Sequence, residues 1–201
     1  MKELLVATRN KGKLREIRDL LKDMDIKVTS LADYEHMPEI VEDARTFAGN
    51  AIKKAVTISM YTKKLVMGED SGLEVKALGN EPGVYSARFS GEDATDRKNN
   101  FKLLRMLKDI PRLRRTARYR SFIALSDGKG LIDVVSGSCG GIITERHRGT
   151  NGFGYDPLFL IPRYDKTFGE LDPSVKAKIS HRARALKKLR KSLQEHFSRR
   201  P

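Results

Sequence analysis

The chain has 201 residues, 39% hydrophobic and 33% charged, a composition typical of globular proteins that bury a substantial core. Nowhere does it contain the ~20 consecutive apolar residues that a membrane span needs. Its short apolar N-terminus also lacks the pattern of a signal peptide. We therefore expect a cytoplasmic protein without membrane contact, and the single cysteine, Cys139, fits a reducing compartment.

The net charge of +14 predicts anionic partners. Clustered lysines and arginines bind nucleic-acid backbones by releasing counterions. The same charge also suits an enzyme of small polyphosphates or a surface adapted to heat. Much of the excess lies in Arg112–Arg120 and Arg182–Arg200, so charge alone does not name the partner.

The N-terminal pattern predicts a strand at Lys2–Ala7, a helix at Lys11–Lys22 and a second strand at Ile26–Leu31. Asn10 is placed to cap this helix, which would direct backbone N–H groups and Lys13 toward one point. Such a strand–turn–helix can bind phosphate. The spacing is not that of a Walker A loop, and an ordinary capped helix explains the turn equally well.

A second helix is predicted from Thr46 to about Thr62, after an acidic loop that contains Glu42. Most of its circumference is apolar. Asn50 and Lys54, four residues apart, share one face. They indicate either a functional pair near the acidic loop or a solvent-exposed stripe.

Two adjacent acids, Glu69 and Asp70, follow the apolar run Leu65–Met67. We expect the buried strand to end at these acids and a glycine turn to begin at Gly72. Adjacent carboxylates near a core need a metal, a cation or strong hydrogen-bond donors. The alternative is an acidic turn that faces water.

The next helix is predicted at Ala94–Lys108, capped by Asp93, with Phe101, Leu104 and Leu107 directed toward the core. The remaining pattern predicts a hairpin of Tyr119–Ser126 and Leu131–Ser138, a further strand at Gly140–Thr144 and one last helix starting near Pro173.

The loop Gly152–Asp156 alternates glycines with aromatic residues, which lets a backbone approach a flat ligand while a ring stacks on it. A tight loop pinned by aromatic packing would look the same. Near the start of the last helix lie Lys176, His181 and Arg182, and a single histidine there is usually a cap or a surface residue.

Six motifs occur in order along nearly the whole chain, and together they are far more specific than any one of them. The chain resembles the Ham1/RdgB family of inosine and xanthosine triphosphate pyrophosphatases. The motifs are Thr8-x-Asn10-x-x-Lys13, Glu42-x-x-x-Thr46-Phe47-x-x-Asn50-Ala51-x-x-Lys54-Ala55, Glu69-Asp70-Ser71-Gly72-Leu73, Pro82-Gly83-Val84-Tyr85-Ser86-Ala87-Arg88, Gly152-Phe153-Gly154-Tyr155-Asp156-Pro157 and Ser180-His181-Arg182-x-x-Ala185-Leu186.

The resemblance implies a Mg²⁺-dependent hydrolase of deaminated purine nucleoside triphosphates such as ITP, dITP and XTP. The products would be the monophosphate and pyrophosphate. It also implies one α/β domain over residues 1–201, with a long mixed twisted sheet, flanking helices and two lobes around a central cleft, as in Maf/Ham1-like folds. A homodimer without a specific nucleic-acid partner is expected.

The resemblance also implies roles for individual residues. The metal ligands would be Glu42, Glu69 and Asp70, with Asp70 as the proton acceptor toward water. The phosphates would be bound by Thr8, Arg9, Asn10, Lys11, Gly12, Lys13, Asn50, Lys54 and Ser71, and the base by Phe153, Gly154, Tyr155, Asp156, Lys176, His181 and Arg182.

Base choice would depend on hydrogen-bond donors. His181 or Arg182 can donate to O6 of inosine but would face another donor in adenosine, and a buried unpaired polar group costs roughly 1–3 kcal/mol. Guanine also carries O6, so these donors do not exclude GTP. Glu69 stands where the family often has aspartate, and Asn80 where a glycine is frequent, which leaves the metal geometry open.

Two other functions remain as alternatives. One is a nucleotide sensor that binds without hydrolysis, although such a protein needs no acid to activate water. The other is a nucleic-acid-binding protein, whose affinity for DNA would fall steeply with salt.

Overall fold

A seven-stranded mixed β-sheet flanked by α-helices forms the framework of residues 2–198, the part of the chain that our computed structural model describes. The order of the strands is β2-β1-β3-β4-β5-β6-β7, and the predicted α/β class with a mixed sheet is confirmed. The strands are Glu3–Val6 (β1), Lys27–Ser30 (β2), Val66–Val75 (β3), Thr116–Ser126 (β4), Leu131–Ile143 (β5), Phe159–Ile161 (β6) and Lys166–Thr167 (β7). The helices are Lys11–Leu21 (α1), Phe47–Thr62 (α2), Asp96–Met106 (α3), Pro173–Ile179 (α4) and His181–Ser198 (α5).

The sheet is parallel at one end and antiparallel at the other. β1 runs parallel to β2 and β3, with Leu5 opposite Val66, whereas β6 runs antiparallel to β5 and β7. Strands of a parallel sheet are covered on both faces, which explains why Leu4, Leu5 and Val6 of β1 are all apolar and buried.

The chain divides into two compact units, which are described separately. The first contains the described residues up to Asp70, Ser121–Gly137 and those from Arg182 onward. In it the pleat of β1 sends Leu4 and Val6 into one core with α1 and α5, and Leu5 into another with Ile58 of α2.

The second unit contains Ser71–Arg120 and Ser138–His181. Its core is built around the rings of Tyr119, Phe159 and Phe168, whose centroids lie 4.6 to 6.2 Å apart. This spacing is typical of favourable aromatic pairs.

Strand β3 does not end at the two acids, contrary to the sequence prediction. It continues through Glu69 and Asp70 to Val75, so both acids and Gly72 lie within a strand. Gly68 allows this strand to pack against α2, because a Cβ there would lie 2.2 Å from the carbonyl oxygen of Ala51.

The predicted start of α3 is wrong, and its predicted inward face is confirmed for Leu104 and Leu107 but wrong for Phe101. Thr95, not Asp93, caps the helix and accepts a hydrogen bond from the backbone N–H of Lys98. Phe101 is 67% exposed, and the buried face instead carries Asn99, Asn100 and Leu103.

Two predicted boundaries also differ. The separate strands expected at Leu131–Ser138 and Gly140–Thr144 form the single strand β5. The expected single C-terminal helix is divided at Ser180, whose extended backbone ends α4 immediately before α5.

Two simpler observations concern the whole of residues 2–198. Cys139 is buried in the core of the second unit, as its predicted packing role requires. No helix in this range has both the length and the apolar character needed to cross a membrane.

Candidate active site

The turn from β1 into α1 presents a helix N-terminus in the first unit. Asn10 caps α1 by accepting a hydrogen bond from the backbone N–H of Lys13 at 3.0 Å, as predicted. Thr8 accepts one from the backbone N–H of Asn10 at 3.1 Å. The capped turn thereby fixes the first-turn N–H groups, which together with the helix dipole favour an anion.

Glu69 is the centre of a buried charged group. Its Oε2 lies 2.7 Å from Lys13 Nζ. Its Oε1 accepts hydrogen bonds from Ser121 Oγ at 2.9 Å and from Arg182 Nε at 3.2 Å. Arg182 also donates to Glu16 of α1, so two cations, Lys13 and Arg182, compensate the predicted strand-end acid.

Asp70 lies against helix α2. Asn50 Nδ2 donates to Asp70 Oδ2 at 3.0 Å, and Lys54 Nζ lies 3.6 Å from Asp70 Oδ1 and 2.7 Å from Glu42 Oε2. Asn50 in turn accepts from the backbone N–H of Ala44 at 3.0 Å. The structure therefore brings the predicted Asn50–Lys54 pair to the acids, and both residues are buried, which rules out the solvent stripe.

Burial raises the pKa of Asp70 above its ordinary value, and the charge of Glu69 adds to this effect. The ammonium groups of Lys54 and Lys13 and the hydrogen bond from Asn50 oppose it. A carboxylate whose pKa is raised in this way is a better base than an exposed aspartate, as a proton acceptor requires.

The three acids predicted as metal ligands do not converge on one point. Successive side chains of a strand point to opposite faces. Glu69 lies with α1 and α5, whereas Asp70 lies with α2. Consistent with this, no three His, Cys, Asp or Glu side chains within residues 2–198 form a metal-binding group.

Glu42 and Asp70 nevertheless fit a cation. Both carboxylates already flank one positive charge, the ammonium of Lys54. Mg²⁺ is usually bound through one or two carboxylates, together with water and substrate phosphates. The donor set therefore suits Mg²⁺ with Glu42 and Asp70 as its protein ligands and Glu69 outside the set.

The loop predicted to receive the base lies in the second unit and is closed by Asp156. Asp156 Oδ2 accepts a hydrogen bond from the backbone N–H of Phe153 at 2.9 Å and binds Lys176 Nζ at 2.5 Å. Gly152 has φ of 79°, and a Cβ there would lie 1.9 Å from Asp156 Oδ2. Glycine is thus required for Asp156 to fit beneath the turn.

Lys176 and His181 each lie against an aromatic ring. Lys176 Nζ is 5.0 Å from the centroid of the Phe153 ring, within the range of a cation–π contact. His181 stacks on Tyr119 with centroids 4.6 Å apart and an interplanar angle of 9°. His181 is buried, so the alternative of a surface histidine is wrong.

Sequence reasoning missed the residues that anchor this loop. Asp96 accepts from the backbone N–H of Gly154 at 2.6 Å, and Asn100 donates to its carbonyl oxygen at 2.9 Å. Tyr155 donates its hydroxyl to Ser86 O at 2.8 Å, and burial raises the pKa of Tyr155. Gly154 and Tyr155 therefore hold the loop in place.

Ser71 and the remaining predicted phosphate-binding residues lie on β3 and around the start of α1. Ser71 follows Asp70 on β3 and is half-buried. Arg9 and Lys11 are exposed beside the N-terminus of α1, and Gly12 is half-buried in its first turn. Sequence reasoning missed Glu16 and Ser121. Glu16 could have been found from its position one helical turn after Lys13, whereas the sequence carries no signal for Ser121.

The chain matches known proteins over most of its length. A model of the Ham1 family matches residues 4–192. A dITP/XTP pyrophosphatase of Desulforamulus reducens is 50% identical over 186 residues, which are 92% of each chain. One of Shouchella clausii is 49% identical over 195 residues, covering 96% of this chain and 98% of the relative. A HAM1 protein of Coxiella burnetii superposes with a TM-score of 0.85 at 38% identity, covering 97% of this chain and 100% of that structure.

Proposed function

The chain belongs to the Ham1 family, and from this membership and the paired acids and lysines we propose that it hydrolyses deaminated purine nucleoside triphosphates. The substrates are ITP, dITP and XTP, and the products are the nucleoside monophosphate and pyrophosphate. The observation that carries the proposal is the group of buried Asp70, buried Lys54 and partly exposed Glu42 in a relative of proteins named dITP/XTP pyrophosphatases. Removal of these nucleotides protects DNA and RNA from their incorporation.

The first unit supplies the groups that act on the triphosphate. Lys13 and the N–H groups at the start of α1 bind phosphate oxygens. Asp70 accepts the proton of the attacking water, and Asn50 holds the carboxylate of Asp70 in orientation. Bound at Glu42 and Asp70, Mg²⁺ would neutralise phosphate charge and favour the departure of pyrophosphate.

The second unit supplies the groups for the base. The ring of Phe153 stacks on the purine, and Lys176 and Asp156 fix the loop around it. We assign the donor toward O6 to His181. The guanidinium of Arg182 is 1% exposed and binds Glu69 and Glu16 instead.

The burial of Asp70 next to Glu69 argues against a sensor that binds nucleotide without hydrolysis. Burying Asp70 beside Glu69 costs free energy because both groups carry negative charge. A binding protein would gain nothing from that cost, whereas a hydrolase gains a base.

A substrate panel tests the specificity. Purified protein with Mg²⁺ is given ITP, XTP, dITP, ATP and GTP, and kcat/KM is measured for each. The three deaminated nucleotides should react at least about tenfold faster than ATP, because a lost hydrogen bond with a buried group left unpaired costs roughly 1–3 kcal/mol. Equal rates with ATP and ITP would contradict the proposal.

Family membership also supports a homodimer that works in the cytoplasm without a specific nucleic-acid partner. Light scattering should then report twice the 22.7 kDa of one chain. A mass of 22.7 kDa at micromolar concentration would contradict the dimer.

A further inference from the structure

Protein groups hold both oxygens of the Glu69 carboxylate. A carboxylate offers about four lone-pair sites. Ser121 Oγ, Arg182 Nε and Arg182 Nη2 approach Oε1 at 2.9, 3.2 and 3.1 Å, and Lys13 Nζ approaches Oε2 at 2.7 Å. Three donors thus lie against Oε1, and the ammonium of Lys13 lies against Oε2.

The group around Glu69 is also balanced in charge. The two acids Glu69 and Glu16 face the two cations Lys13 and Arg182. The side chains of Glu69 and Arg182 are 0% and 1% exposed, and charges so deeply buried require partners. A cation bound at Glu69 would add an uncompensated positive charge to this balanced group.

Lys13 differs from the rest of this group because its side chain is 15% exposed. An ammonium has three donors, and the contact with Glu69 uses one of them. The other two remain for phosphate oxygens at the N-terminus of α1. Glu69 therefore determines where the phosphate-binding ammonium lies.

We propose that Glu69 is a positioning residue: it fixes Lys13 for the phosphates, while Ser121 and Arg182, the latter held by Glu16, fix Glu69. This inference rests on the proposed function for the identity of the anion that Lys13 binds. The positioning of Lys13 by Glu69 would serve any polyphosphate ligand in the same way.

Three substitutions of glutamate by glutamine test the proposal. Glu69→Gln removes the positioning charge, and Glu42→Gln removes an expected metal ligand. Glu74→Gln is the matched control, because Glu74 lies on the same strand, is held by Arg118 and Arg120 at 2.7 and 3.4 Å, and lies outside the site. Each variant is titrated with an α,β-non-hydrolysable ITP analogue, and then with Mn²⁺, observed by electron paramagnetic resonance, in the presence of that analogue.

Glu69→Gln should weaken analogue binding by about 10-fold or more, the usual effect of losing a partner that orients a binding group. The Mn²⁺ affinity should stay within about twofold of wild type, as for independent sites. Glu42→Gln should show the reverse pattern, and Glu74→Gln neither change. A loss of Mn²⁺ affinity in Glu69→Gln equal to that in Glu42→Gln would overturn the proposal.

A double-mutant cycle with Lys13→Met tests the path of the effect. In the Lys13→Met background, Glu69→Gln should change analogue binding by no more than about twofold, because the ammonium that Glu69 positions is already absent. Full additivity would overturn the proposal. If Glu69→Gln does not fold, Ser121→Ala replaces it and should weaken analogue binding about threefold, the effect of one lost hydrogen bond.

One readout separates this proposal from the proposed function. Nitrogen-15 NMR of lysine ammonium groups reports the Lys13–Glu69 pair without any substrate. In wild type and in Glu74→Gln, the Lys13 ammonium signal should be visible, because the pair with Glu69 slows exchange of its protons with water. In Glu69→Gln the signal should be lost. If wild type neither binds nor hydrolyses ITP, the function fails and this signal still tests the pair; an unchanged signal in Glu69→Gln overturns the pair whatever the substrate.

Discussion

Asp70 combines burial with polar contacts to Asn50 and Lys54, and this combination defines its chemistry. Its carboxylate receives a hydrogen bond from Asn50, and Lys54 lies between it and Glu42. Burial raises the pKa of Asp70, and the charges of Lys54 and Lys13 oppose this shift. The side chain is therefore held as a base at a fixed orientation.

Replacing Asp70 by asparagine should abolish turnover without unfolding the protein. The amide has nearly the same shape but accepts no proton, so kcat should fall by at least about 100-fold. The free energy of unfolding should change by less than about 1 kcal/mol, because the substitution removes a charge that burial disfavours. Steady-state kinetics and urea denaturation measure the two quantities, and full activity would mean that another group is the base.

At the residue scale, the contacts between side chains could be predicted from the sequence more accurately than the role of each side chain. The cations that compensate the two acids could be identified as Lys13 and Lys54. The separation of Glu69 from Asp70 could not be predicted, because the sequence suggested a turn where β3 in fact continues. The pleat of the strand places the two side chains on opposite faces. The placement of Arg182 with Glu69 depends on a contact between residues 113 positions apart.

Helix α2 and strand β3 form the element pair on which the Asp70 group depends. Gly68 brings the strand against the helix turn that carries Lys54, and a Cβ at this position would meet Ala55 N at 2.6 Å and Lys54 Cβ at 3.0 Å. A displacement here moves Asn50 and Lys54 relative to Asp70.

Gly68→Ala should destabilise the fold by about 1–3 kcal/mol, the usual cost of overpacking, and should lower activity as well. Gly140→Ala is the control, since Gly140 also lies in a strand and has nothing within 4 Å of an added Cβ. Urea denaturation of both variants measures the difference. Equal stabilities would show that α2 and β3 do not depend on this close approach.

The start of β1 should contribute a pH-dependent part of stability through Glu3. Burial alone would raise the pKa of Glu3, but hydrogen bonds from Tyr34, Lys64 and Thr29 outweigh burial and hold the pKa below its ordinary value. A lowered pKa means that the stabilisation is complete above the unfolded value of about 4.3 and is lost as the pH falls through the folded pKa.

Glu3→Gln should therefore reduce stability at pH 7 and have little effect at pH 2. The loss in the free energy of unfolding at pH 7 should be under about 1 kcal/mol, because the pair with Lys64 is partly exposed. Urea denaturation at both pH values checks it. A constant difference between wild type and variant across the acid range would exclude Glu3 as its source.

At the scale of elements, hydrophobic periodicity located most of the helices and strands and failed where polar side chains are buried. Helix α3 shows why. Its inward face carries Asn99 and Asn100, whose amides donate to backbone carbonyls of Ser86, Ala87 and Gly154. A periodicity argument assigns such residues to the surface and directs Phe101 inward.

The whole molecule combines a charge of +14 with a Ham1-family fold. The order of the six motifs identified the family where no single motif did, because ordered motifs over a whole chain rarely coincide by chance. The strand order of the sheet depends on pairings between distant segments, so local patterns did not reveal it.

The same charge leads us to expect weak DNA binding that depends on salt and not on sequence. Such affinity should fall steeply between about 50 and 200 mM salt, because it comes from released counterions. Fluorescence anisotropy with two unrelated labelled oligonucleotides measures it. Retained affinity for only one of them at high salt would instead support the nucleic-acid-binding alternative.

The central claim is that the chain cleaves between the α and β phosphates of a deaminated purine nucleotide. The most direct measurement is to incubate the protein with Mg²⁺ and ITP and to identify the phosphorus species by phosphorus-31 NMR. We predict IMP and pyrophosphate in equal amounts. Release of orthophosphate with IDP would contradict the account.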